Sequence, residues 1–279
     1  GCYNPWNTSE KMEFWTNIQL HKEGPNKGRV KYVQFFIFNT KEELPYEVRY
    51  LTAAEEIVFY SNANQFLKSL DTGESITKLT QLKRLTIGAY GLTTLHPDFK
   101  NLRNLEFLDI SANNFQTIPD ILTPENFPNL HALVMNANQR YTIYDLSNDD
   151  RENIGGLVDE HKFPERILKW NALDTIRLSV KYLHGELPSM SNHEKWTAEE
   201  VHACDTLPEI LIGLPKVLPN TDFFAINYNR LTGELPDWLL YHPKLDIWFP
   251  YSLVFNQEGK TAEGVSAGFS NEPVSLDYY

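Results

Sequence analysis

Cysteine is almost missing from this chain, whose 279 residues include only Cys2 and Cys204. A disulfide-stapled scaffold is thereby excluded, and nothing in the sequence supports a bridge between two positions so far apart. Long apolar runs are missing too. No stretch reaches the roughly 18 apolar residues that a membrane-crossing helix requires. A charged n-region followed by an apolar h-region is also lacking, so no secretory leader is expected within the sequence. Gly1-Cys2 stays open to three readings: an artificial start, an internal stretch of a longer protein, or the mature end of a lipoprotein. Positive charge is in deficit, with 25 Lys and Arg against 37 Asp and Glu and a formal net charge of −12. Nucleic acid, which is bound by neutralising its phosphates, is therefore not an expected partner. Like charges are not blocked into a tail, so the acidity reads mainly as solubility.

Catalytic and cofactor motifs are absent as well. There is no phosphate-binding loop, no G-x-G-x-x-G and no G-x-S-x-G elbow. His193-Glu194, His202 and Cys204 invite a metal reading, but the H-E-x-x-H spacing is missing and His202 and Cys204 point to different faces of a helix. Asp145, Ser147 and Asp149 begin like a calcium loop. Asp150 then stands where that loop needs Gly, and Gly156 where it needs Glu. A solvated helix and a polar turn are the plainer readings. No catalytic residue, metal or cofactor is assigned, and the chain is not expected to be an enzyme. Asn7-Thr8-Ser9 fits a glycosylation sequon of low information.

What is present is a recurring phrase. Leu105-x-x-Leu108-x-Ile110-x-x-Asn113-x-Phe115 recurs from Leu82, Leu130 and Leu173, and from Thr221 with a polar first residue. Its fourth position falls at Val33, Ile57, Leu85, Leu108, Leu133, Ile176, Phe224 and Leu245, with gaps of 24, 28, 23, 25, 43, 48 and 21 residues. Five of these gaps match one coil of a repeat, and the two long ones leave room for insertions near 139–170 and 189–220. Position six is apolar in all eight copies, from Phe35 to Ile247. Apolar positions four and six between mixed neighbours give the period-two pattern of a half-buried strand. Asn62, Asn113, Asn138 and Asn229 hold position nine, where an inward amide can satisfy the backbone as it leaves the strand. Tyr90, Lys181 and Phe38 interrupt that column.

These phrases resemble the leucine-rich-repeat family. Leu183-His-Gly185-Glu-Leu187-Pro188 and Leu231-Thr-Gly233-Glu-Leu235-Pro236 are similar to the plant-type subclass, which also occurs in bacterial surface and secreted proteins. The mixed subtypes, irregular gaps and aromatic-rich ends look more bacterial than plant. The resemblance implies an α/β fold: a right-handed solenoid with one parallel sheet on its concave face and short helices or 3-10 turns on its convex face. A single domain over 1–279 is expected, with a cap at 1–29, about eight repeats over 30–250 and a second cap at 251–279. Thr197-Ala-Glu-Glu200 is a capping box, so a short helix is expected from about 197. Phe163–Trp170 also reads as helical, and Pro236 should open a helical turn.

In this register positions three, five, seven and eight face solvent. The residues expected to contact a partner on the concave face are Tyr32, Tyr60, Arg84, Phe107, Asp109, Asn136, Arg177, Phe223, Asn227 and Tyr228. Phe36 shares that face. Small residues at position eight, Ser61, Ala89, Ala112 and Ala137, suggest a shallow trough. Strands favour aromatics in any case, yet exposed aromatics beside Arg are enriched where binding energy concentrates. The function expected is a non-catalytic recognition module, extracellular or at a cell surface, binding a protein or peptide. A glycan-binding surface protein is the alternative, and an enzyme subunit the third. The chain is expected to be a monomer or part of a longer chain.

Overall fold

The computed structural model describes residues 8–36, 46–60, 73–90, 92–113, 115, 117–136, 161–179, 183–227 and 229–245. The chain divides into two compact units, Gly1–Leu157 and Val158–Tyr279. In the first, β1 (Ile18–Leu20), β2 (Val30–Phe36), β3 (Glu56–Tyr60), β4 (Arg84–Gly88), β5 (Phe107–Asp109) and β6 (Ala132–Val134) lie side by side in chain order. From β2 onward they are parallel and in register as Val33, Ile57, Leu85, Leu108 and Leu133, the position-four column of the sequence. Parallel neighbours need a crossover, and short helical pieces occupy these crossovers at Tyr46–Tyr50, Gly73–Thr77 and Pro97–Asn101. Pro97 suits a first helical position because its missing N–H would have had no partner there. The His96 imidazole Nδ1 accepts the free N–H of Asp98 at 3.1 Å.

The core follows from the alternation. Position four is at most 1% exposed in all five strands from β2 to β6. Phe59, Ile87, Ile110 and Met135 fill position six behind it, and Phe35 stacks on Phe59 with 5.2 Å between ring centres. Leu82, Leu105 and Leu130 close the coil from the far side with no exposure. Each such side chain contributes roughly 1.5–3 kcal/mol of burial. Asn113 then closes the strand exit. Its Oδ1 accepts from Tyr90 N and Leu92 N, and its Nδ2 donates to Ile87 O, Ile110 O and Ser111 O.

Within the span expected as a cap, 1–29, lies a strand that the sequence did not announce. β1 runs antiparallel to β2, with a register shift between Gln19 and Leu20. Gly24–Gly28 forms the turn that reverses the chain, and His21 N donates to Arg29 O across its base at 2.9 Å.

In the second unit, β8 (Thr175–Arg177) and β10 (Phe223–Ala225) are parallel neighbours, with Ile176 opposite Phe224. Asn229 repeats the role of Asn113, donating to Leu178 O and Ile226 O and accepting from Leu183 N. The L-x-G-x-L-P phrases add an element that their spacing did not announce. Their first residues form a second, three-stranded parallel sheet, with β9 (Leu183–Glu186) between β7 (His161–Lys162) and β11 (Arg230–Thr232). Gly185, inside β9, and Gly233, just past β11, have φ +82° and +86°. At Gly233 a Cβ would also stand 2.8 Å from the Glu186 side chain, so the position needs glycine on both counts.

The expected helical turns are present as Ala198–His202, Glu165–Lys169 and Asp237–Leu240, the middle one in 3-10 form. Both halves of the Thr197–Glu200 capping box are made, at 3.0 and 3.2 Å. The insertion that carries this box is pinned at its base, where Trp196 N donates to Leu214 O and Gly213 N to Trp196 O. Among the described residues no helix is long and apolar enough to cross a membrane. Asn62, Asn138, the polar turn at 145–150, Ile247 and the cap at 251–279 lie outside the described residues.

Candidate functional site: the strand face

Register brings position three of successive strands together. Tyr32, Glu56, Arg84 and Phe107 are neighbours across β2 to β5, on the face opposite the core. Arg84 Nε lies 3.5 Å from Glu56 Oε1, and the guanidinium carbon sits 4.1 Å above the Phe107 ring. One cation is therefore held between a carboxylate and an aromatic face. The Tyr32 hydroxyl donates to Gln34 Oε1 at 3.2 Å, and burial, then the Glu56 carboxylate, push its pKa up. An exposed ion pair contributes at most about 1 kcal/mol to folding, and an exposed cation–π contact about as much. The row serves orientation more than stability.

Positions five and seven complete this surface. Asp109 is half-buried, and its Oδ1 accepts the N–H of Ser111 at 2.9 Å. Asn136, half-buried, donates its backbone N–H to Ser111 Oγ. Tyr60 is 47% exposed and sits opposite Gly88. A Cβ at Gly88 would meet the Tyr60 ring at 2.8 Å, so the ring leans across β4 only because residue 88 is glycine. In the second unit, exposed Arg177 places its guanidinium 4.6 Å above the Phe223 ring.

Two expected features fail. Asn227 does not face solvent: it is 4% exposed, and its side-chain oxygen is hydrogen-bonded to Ser179 Oγ. β10 ends at Ala225, so the alternation has lapsed where the chain bends inward to Asn229. Position eight does not face solvent at Ala89 either, which is 7% exposed. Ala89 and Ala112 adopt φ +64° and +55°, a left-handed conformation most strained for β-branched or bulky side chains. Tyr228 lies outside the described residues.

Other features went unread in the sequence. Asn104, Asn129 and Asn220 each precede position one and donate to Thr80 O, Arg103 O and Asn171 O, forming a second, exposed asparagine column. Its signal was an Asn ahead of three of the repeats. Tyr46 and Tyr50, 57% and 67% exposed, flank an Arg49 whose guanidinium lies 4.5 Å over Tyr46. Among the metal candidates, His202 Nε2 is 3.9 Å from Glu209 Oε1, and exposed Cys204 has Thr206 Oγ1 at 3.2 Å. Among the described residues no three His, Cys, Asp or Glu side chains converge.

Stacked coils, one short parallel strand per coil and a buried asparagine at the strand exit are the architecture of a leucine-rich-repeat solenoid, the fold that the repeated phrases resemble. No family model matches the chain, and no curated protein does. Among solved structures, the plant peptide hormone receptor RGFR1 in complex with RGF2 aligns with 84% of this chain and 32% of its own, at 19% identity and TM-score 0.48. A plant ice-binding protein aligns with 84% of this chain and 75% of its own, at 17% identity and TM-score 0.45. The receptor kinase GASSHO1/SCHENGEN3 ectodomain from Arabidopsis thaliana covers 86% of this chain and 29% of its own, at 15% identity and TM-score 0.46. The chain spans about a third of the length of the two receptor chains.

Proposed function

We propose that this protein is a non-catalytic recognition module that binds a protein or peptide through its strand face, outside the cell or at its surface. The observation that carries the reading is the Glu56–Arg84–Phe107 row. It holds a charged group and a large ring in fixed positions on a surface where neither adds much to folding. Arginine and aromatic residues dominate binding hot spots because they combine area, charge and low ordering cost. Arg177 on Phe223 repeats the arrangement in the second unit. A glycan platform needs an open ring face, and both phenylalanines already have a guanidinium over theirs. That favours the peptide reading over the glycan one.

The test is selection of binding peptides from a displayed random library on the purified chain, with a glycan array run beside it. For a selected peptide, Phe107→Ala or Arg177→Ala should raise Kd about 30-fold, the equivalent of about 2 kcal/mol. Melting temperature should stay unchanged. Asp120→Ala, off the strand face, should bind as the parent does. If Asp120→Ala abolishes binding while the strand-face pair leaves it intact, the insertion at 189–220 becomes the better candidate. Capture of glycans with no peptide would replace this reading by the alternative.

A further inference from the structure

We propose that the insertion between β8 and β10 is a docking arm for a basic segment of another protein, one that carries apolar side chains between its cations. β8 and β10 are direct neighbours in register, with Ile176 opposite Phe224, although those two positions lie 48 residues apart. The coils thus stack as though residues 194–216 were not between them. Those residues hold themselves in shape. Lys195 and Pro215 form an antiparallel bridge, and Lys216 N donates to Glu194 O at 2.7 Å. The Lys216 ammonium pairs with Glu200 and lies 5.0 Å over the Trp196 ring. The capping box fixes Ala198–His202, and Val201 and Leu211, each 2% exposed, anchor the inner side. A surface ordered before binding lowers the entropy cost of association.

The outer side of the arm is apolar and acidic. Ile210 and Ile212, 52% and 40% exposed, are the two most exposed large aliphatic side chains among the described residues. Their direction follows from the 3-10 turn Glu209–Leu211. With Leu211 turned inward, the residues on either side of it each point about 120° away, towards solvent. Ile212 N donates to Glu209 O at 3.0 Å, which sets Ile212 in the same row as Glu209. The Glu209 side chain is 87% exposed, and its one ion-pair contact among the described residues is His202 Nε2, at 3.9 Å. Asp205 is exposed on the preceding Cys204–Leu207 turn. Lys216 does not answer these acids, because it is committed to Glu200 and Trp196. Charge complementarity therefore selects a partner with Lys or Arg, whose stems cover the isoleucines while their charged ends reach the carboxylates. A second copy of this chain, at net charge −12, is the wrong sign.

The test uses short synthetic peptides of alternating sequence: leucine with lysine, serine with lysine, and leucine with glutamate. Isoleucine methyl signals are followed by NMR, with Ile210 and Ile212 assigned through Ile210→Val and Ile212→Val. The leucine–lysine peptide should shift both signals saturably at about millimolar concentration or below. The serine–lysine peptide should bind about tenfold more weakly, and the leucine–glutamate peptide should leave the signals in place. Ile210→Ser combined with Ile212→Ser should abolish binding, and Glu209→Gln should weaken it severalfold. Glu125→Gln, at an exposed acid of the first unit, should change nothing. Equal binding of the serine–lysine peptide, or equal losses in Glu209→Gln and Glu125→Gln, would reduce the effect to general charge and overturn the proposal. Absence of any shift overturns it, as does binding that survives the isoleucine pair. Self-association of the parent that the isoleucine pair abolishes would assign the surface to a second copy instead. The strand-face reading stands or falls separately. The isoleucine pair should leave unchanged the Kd of a library-selected peptide that Phe107→Ala weakens, and a shared loss would mean that the arm has no partner of its own.

Discussion

Asn113 gathers two backbone N–H groups and three carbonyls from two adjacent coils at a point with no solvent exposure. Truncating it strands several buried polar groups, each worth about 1–3 kcal/mol when unpaired. Asn113→Ala should therefore lower unfolding free energy by about 3 kcal/mol or more. Asn104→Ala, which loses one exposed bond to Thr80 O, should cost less than about 1 kcal/mol. Urea denaturation of the two variants checks this, and equal losses would show that burial of the inner column is not what matters. The inner column was legible from sequence because an amide at position nine has one physical use. Asn227 was not, since whether a residue two places past a three-residue strand points in or out depends on where the chain bends. The Arg–aromatic pairs were half legible. Arg84 and Phe107 share position three in consecutive repeats, which makes them register neighbours, but the fold of the guanidinium over the ring is a side-chain matter that spacing does not carry.

The strands β2 to β6 could be placed from their apolar period because a one-residue slip would put every core side chain outside. β9 and β11 could not. Both lie in the L-x-G-x-L-P phrases, outside the column of apolar positions four and six, and the glycine inside or just beyond them reads equally well as a turn. The last helical turn adds a pH dependence that no pattern announces. His242 follows Asp237–Leu240 and is 7% exposed. Its Nδ1 accepts from Lys244 N and Leu245 N, so the proton must sit on Nε2, which donates to Leu218 O. Burial pushes its pKa below the ordinary 6.5, and Lys244 adds to that against the opposing Leu218 and Val217 carbonyls and Asp222. Above pH 6.5 neither the folded nor the unfolded chain holds the extra proton. As pH falls below it, the unfolded chain takes one up first, and stability declines until the folded ring protonates too. Melting curves between pH 7 and pH 5 should show a loss that His242→Gln removes in part. A variant with the same slope as the parent would place the acid sensitivity elsewhere.

For the molecule as a whole, composition spoke to chemistry and repeats to architecture, while the antiparallel strand ahead of the parallel ones was not foreseen. A stack of parallel coils has no inherent reason to stop. Each open strand edge offers the next coil, or another molecule, the same row of backbone groups. In the first unit that edge would belong to Val30–Phe36, whose Val-Lys-Tyr-Val-Gln-Phe-Phe sequence is rich in β-branched and aromatic residues and has a single charge, the composition that favours strand-on-strand assembly. β1 occupies it, runs the other way, is only three residues long and shifts register between Gln19 and Leu20. It therefore acts as a terminator of growth, replacing a surface that invites a further parallel strand with a short one of the wrong direction. A chain trimmed to begin at residue 30 should keep its strand pairing from β2 onward yet scatter light and elute as large species at concentrations where the parent is dispersed. If the trimmed chain stays as dispersed as the parent, some other part of the molecule sets its length.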